Sequence, residues 1–142
     1  MSAHATRGRQ RSRDLLIKAV YQWQIAGGSA EELLAEYEAR EEFAKIDQIH
    51  FRLILESLLA APEEFDKIIA TYAKRGTEQL DTVARAVLLA SLTEMTHCGD
   101  VPTKVVINEA INLAKRYAAA DSFRFINAVL DKASKEIRAS RD

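Results

Sequence analysis

The stretch DTVARAVLLASLTEM, residues 81–95, decides the fold class. It is apolar almost all round a helical wheel, which predicts a helix enclosed by other helices rather than one lying on a surface. Asp81 is a candidate N-cap for it. Towards the N-terminus, Phe65, Ile68, Ile69 and Tyr72 form the stripe of a helix that Gly76 ends. Pro62 takes the first position of that helix, where its missing N–H does no harm. Before it, a helix starts near Ile46-Asp47 and runs through FRLILESLL, and Ser29 opens a short one with Glu32 completing a capping box. The first helix is expected over about residues 9–25, with Leu15, Leu16, Ala19, Val20 and Trp23 on one face and Gly27-Gly28 at its end.

Towards the C-terminus, Gly99 and Pro102 break the chain. VVINEAINLAKRYA then gives a sixth helix, and Asp121 or Ser122 caps a seventh that runs to about residue 138. No convincing strand, sequence repeat or low-complexity segment interrupts this series. The expectation is an all-α protein of about seven helices, a single domain over 1–142 whose helical halves, about 1–76 and 77–142, pack on each other.

Composition agrees. Apolar residues make up 48% of the 142 and charged residues 29%, a globular balance, and five glycines and two prolines leave helix formers in the majority. The apolar runs are far too short to span a bilayer, and no apolar segment follows the charged N-terminus as in a signal peptide. A single cysteine, Cys98, has no internal disulfide partner and fits a reducing cytoplasm.

Chemistry is not encoded in any recognisable form. There is no phosphate-binding glycine loop, nucleophile elbow or zinc-protease helix. His4, His50 and His97 lie far apart and, with one cysteine, offer no metal-ligand spacing. His97-Cys98 are neighbours in sequence, which rarely gives nucleophile and base geometry, and the acids from Glu31 to Glu42 read as a solvated face. No cofactor or metal is expected, and no catalytic residue.

Charge is the informative signal. The net charge is only -1, yet Arg7, Arg9, Arg11 and Arg13 fall within seven positions with no acid among them. Residues 29–66 carry eleven acids and three bases, and residues 102–142 carry eight bases and five acids. Two basic ends flanking an acidic middle suggest that one surface meets a polyanion. On the last helix, Phe123, Ile126, Leu130, Ala133 and Ile137 form the core face. Phe125 lies about 200° from Phe123, with Lys132 about 20° from it. Tyr21 likewise faces away from the core side of the first helix. Off-core aromatics among bases suit a platform on which unpaired bases stack while cations follow the phosphates. The alternative, that either ring packs under the other half of the protein, stays open on periodicity alone. Asp121 and Ser122 could read bases or cap a helix, and Asn108 and Glu109 could meet RNA or a partner or tie the sixth helix to a neighbouring loop by hydrogen bonds.

The run DVPTKVVINEAINLAKRYAAADSFRFINAVLDK, residues 100–132, closely resembles the C-terminal signature of the NusB family of bacterial transcription antitermination factors. RSRDLLIKAVYQWQ, with Tyr21 and Trp23, resembles the family's opening helix. The resemblance implies two helical subdomains and a non-catalytic protein that binds single-stranded boxA RNA of ribosomal RNA leaders. Its implied partner is NusE, a small-subunit ribosomal protein, with which it joins RNA polymerase and other Nus factors. Carried over by position, the RNA contacts would be Arg7, Arg9, Arg11 and Arg13 at one end. At the other they would be Lys115, Tyr117, Asp121, Ser122, Phe125, Asn127 and Lys132. The partner surface would involve Tyr21, Val83, Arg85, Leu88 and Leu92. A cytoplasmic, stand-alone protein follows, monomeric or weakly dimeric and without a membrane partner; NusB-like domains also precede RNA methyltransferases, and a pure protein scaffold is the other rival.

Overall fold

The computed structural model describes residues 3–73 and 80–139. Seven α-helices occur among them: α1 Ala3–Ala26, α2 Ala30–Glu38, α3 Gln48–Ala60, α4 Pro62–Tyr72, α5 Thr82–His97, α6 Thr103–Tyr117 and α7 Ser122–Ile137. A 3-10 turn, Glu41–Lys45, precedes α3, and no strand is present among the described residues. Gly76, expected to end α4 and to mark the boundary between halves, lies outside the described residues.

Local chemistry sets most of the ends. Gly27 and Gly28 take positive φ values of 73° and 106°, and the Gly27 N–H donates to the Trp23 carbonyl, which closes α1. Ser29 and Glu32 form a reciprocal capping box at 3.1 and 3.2 Å. Asp47 accepts from the His50 N–H at the start of α3, and Asp81 accepts from the Val83 N–H at the start of α5. At α7 neither candidate caps with its side chain. Asp121 is the N-cap residue but sits in the left-handed region at φ 70° and makes no side-chain cap bond.

α5 is the centre of the molecule and packs against α1, α3, α4, α6 and α7. Every residue from Ala86 to Met95 is buried. Enclosure by five helices explains why the sequence is apolar on all sides, and the Thr93 hydroxyl meets its own need by donating to the Leu89 carbonyl at 2.7 Å. Arg138, buried just after α7, donates to the carbonyls of Met95 and Cys98 at 3.1 Å each and to that of Val101. That guanidinium satisfies carbonyls at the C-terminal end of α5 and fixes the turn into α6. Among the described residues no helix is long and apolar enough to cross a membrane.

α1 differs most from expectation. It starts at Ala3 rather than near residue 9, so Arg7 lies on the same helix as Arg9, Arg11 and Arg13. Arginine is a good helix former, and residues 3–8 lack the apolar stripe that periodicity detects. The Asp47 N–H also donates to the Gly8 carbonyl at 2.9 Å, which docks this end of α1 on the start of α3.

Candidate nucleic-acid interface

Residues two apart on a helix point about 200° apart, so the four arginines divide into two pairs. Arg9 and Arg13 turn inward. Arg9 reaches Asp47 at 3.3 Å and lies 3.8 Å from Asp100. Arg13 is buried: its Nε donates to Glu94 Oε1 at 2.9 Å and its Nη2 to Oε2 at 2.7 Å. His50 Nε2 lies 3.0 Å from the same carboxylate, and His50 Nδ1 lies 2.7 Å from Ser12 Oγ. Burial alone would raise the Glu94 pKa, but hydrogen bonds from His50 and Arg13 outweigh it and hold the carboxyl down at about 2. Arg13 is therefore committed to the interior as the counter-ion of Glu94.

Arg7 and Arg11 turn outward. They line one wall of a groove of about 290 Å³ between α1 and α6, with Asn112 and Arg116 on the other wall. Arg116 escaped the sequence analysis, although it directly follows Lys115. Glu109 lines the same groove and accepts from Gln10 Nε2 at 3.1 Å, so it ties α6 to α1. The structure thus brings the two basic ends together through α6. Lys115 does not point into this groove but lies over the Phe123 ring, 4.8 Å from its centroid, and Arg124 covers the same ring at 5.7 Å.

One helical turn or two further along α1, the surface becomes apolar. Tyr21, Val83 and Tyr117 line a pocket of about 370 Å³ with Ile17, Lys18 and Gln22. Tyr21 is 40% exposed and Tyr117 is similarly open, with Arg116 5.7 Å from the Tyr117 ring centroid. Tyr117, expected beside RNA, thus shares a site with Tyr21 and Val83, expected beside a protein.

Asp121, Ser122, Phe125 and Lys132 gather in a different place, a cleft between the end of α4, the start of α5 and α7. Phe125 is half-buried against the core edge rather than free on both faces. Asn127 is exposed and about 200° round α7 from Phe125, away from that cleft. The expected partner residues of α5 divide as well. Arg85 is pinned to Asp66 at 3.1 and 2.5 Å and to Gln24 at 2.9 Å. Leu88 and Leu92 are 0% exposed. This corrects their assignment to a contact surface, because the stretch of α5 from Ala86 to Met95 is enclosed by other helices and offers no apolar side.

Among the described residues no group of three His, Cys, Asp or Glu side chains is placed to hold a metal ion. Cys98 is buried and its thiol is pushed up to about 11, first by burial and then by Glu94 and Asp100. Its position is that of a packing residue.

The chain as a whole is similar to known proteins. A model of the NusB family matches residues 10–135. The transcription antitermination protein NusB of Alcanivorax borkumensis is 38% identical over 130 residues, which span 92% of this chain and 87% of that protein. Its counterpart from Sodalis glossinidius is 38% identical over 133 residues, spanning 94% and 96%. A solved structure of T. maritima NusB superposes with a TM-score of 0.78 at 30% identity, covering 90% of this chain and 91% of that one.

Proposed function

Because the chain belongs to the NusB family of transcription antitermination proteins, we propose that it is a non-catalytic adaptor that binds boxA RNA and NusE along one ridge of α1. The observation that carries this reading is the order of side chains along that helix. Arg7, Arg11, Asp14, Lys18 and Tyr21 follow one another at steps of four, three, four and three residues, a single helical stripe. Its first half faces the basic groove shared with Arg116, and its second half faces the apolar pocket shared with Val83 and Tyr117. A basic groove suits a phosphate backbone, and an apolar pocket with tyrosine walls suits a protein anchor. Placed end to end, they let one RNA and one protein partner lie side by side and stabilise each other's binding. Asp121, Ser122, Phe125 and Lys132 supply a second RNA contact, in which the exposed part of Phe125 meets a base.

The test is a salt titration with a boxA oligonucleotide, with and without NusE. Replacing both Arg7 and Arg11 by glutamine is expected to lower affinity and to flatten the slope of log affinity against log salt by roughly 0.7 per lost phosphate contact. Arg9→Gln is expected to change the slope less, because its guanidinium already faces Asp47 and Asp100. An unchanged slope in the double variant refutes the groove as the RNA site. Absence of RNA binding in every arm, with NusE bound normally, would favour the pure scaffold instead.

A further inference from the structure

The basic groove contains its own anion. Arg116 Nη1 donates to both oxygens of Asp14, at 2.9 and 3.0 Å, across the gap between α6 and α1. The pair is open to solvent, with side-chain exposures of 55% and 31%. By contrast, no acid among the described residues lies in ion-pair range of Arg7 or Arg11. Arg116 also sits in the last turn of α6, where the helix dipole favours a cation whether or not Asp14 is engaged. A guanidinium can hold a phosphate through two parallel N–H donors, a better acceptor geometry than one nitrogen shared between two carboxylate oxygens. An exposed ion pair of this kind contributes little to the fold and opens easily.

We propose that Arg116 is a phosphate ligand held in reserve by Asp14, so that RNA entering the α1–α6 groove exchanges an internal ion pair for a phosphate contact. The proposal rests on the reading of that groove as an RNA site. Asp14 then opposes binding twice, first by holding Arg116 and then by facing the incoming phosphate. Because a phosphate contact carries no sequence information, the effect is the same for every single strand.

Fluorescence anisotropy with a boxA oligonucleotide and a scrambled single strand of equal length, repeated across salt concentrations, tests this in a double-mutant cycle. Asp14→Asn is expected to tighten binding of both strands by the same factor, roughly two- to fivefold. Its salt slope should steepen by up to roughly 0.7. Arg116→Gln is expected to weaken binding. The decisive quantity is the coupling: the gain from Asp14→Asn must be larger with Arg116 present than in the Arg116→Gln background. If Asp14 merely repels RNA while Arg116 neutralises it, the gain is equal or larger in the glutamine background, and the proposal is overturned. That outcome leaves the groove reading intact if the Arg7 and Arg11 double variant still flattens the slope. No RNA binding by the wild-type protein overturns both. Unchanged thermal melts of the variants show that both substitutions leave the fold in place.

Discussion

Glu94→Ala is expected to destabilise the protein by about 3–5 kcal/mol, measured as a loss of unfolding free energy in denaturant. The residue is 3% exposed and its carboxylate is the acceptor for both Arg13 and His50. With the carboxylate ionised, His50 Nε2 carries the proton; in the neutral ring Nδ1 then accepts from the Ser12 hydroxyl, so three helices are joined through one anion. Alanine would leave a buried guanidinium without its counter-ion. Replacing the pair together, as Arg13→Met with Glu94→Leu, is expected to recover much of the loss, since the interior then holds no unpaired charge. The same network fixes an acid limit. The Glu94 pKa is lowered from 4.5 to about 2, so its stabilisation is fully present above the unfolded value. It is lost as pH falls from about 4.5 through 2, and Glu94→Gln should abolish that part of the acid dependence. A wild-type acid limb identical to that of the glutamine variant would contradict this account.

The division of the arginines was within reach of the sequence. Two helical turns take up about seven residues, so side chains seven apart share a face. Arg9 stands seven residues before Leu16 and Arg13 seven before Val20, which puts both in line with the apolar face of α1. Arg7 stands seven before Asp14 and Arg11 seven before Lys18, in line with the polar outer side. What hid this was the absence of apolar residues between Thr6 and Ser12, so that nothing in the periodicity required the helix to extend so far. Glu94 as the partner of Arg13 was out of reach in a stronger sense. The two are 81 residues apart, and a one-dimensional pattern carries no information about which buried charges meet.

Helix existence was easier to read than helix surface. Ser29, Pro62 and Asp81 act within one turn of themselves, so their roles follow from local chemistry. The off-core position of Tyr21 follows equally from its own helix. Phe125 does not, because the wheel sees α7 alone while the wall that half-covers this ring comes from elsewhere. Arg116 shows the same limit from the other side: only the approach of α1 to α6 makes a groove of it.

Leu88→Ala is the second large expected effect, about 2–5 kcal/mol of stability, through lost transfer free energy and the cavity left behind. The side chain is 0% exposed in the middle of α5, a helix that packs against five others. The family resemblance carries Leu88 and Leu92 to the contact face, whereas the all-round apolar character of residues 81–95 already points to an enclosed helix. Stability and partner binding separate the two. Well below its melting temperature, Leu88→Ala is expected to bind NusE with an affinity close to wild type, the loss showing only in denaturation. Tyr21→Ala is expected to do the reverse, because its partly exposed ring contributes little to the core but forms a wall of the apolar pocket. If it is an interface anchor its truncation costs on the order of 2 kcal/mol of binding. A Leu88→Ala variant that melts normally and binds NusE weakly would return α5 to the surface. The enclosure of Ala86 to Met95 on every side argues that the contact face lies instead where α1, Val83 and the end of α6 meet.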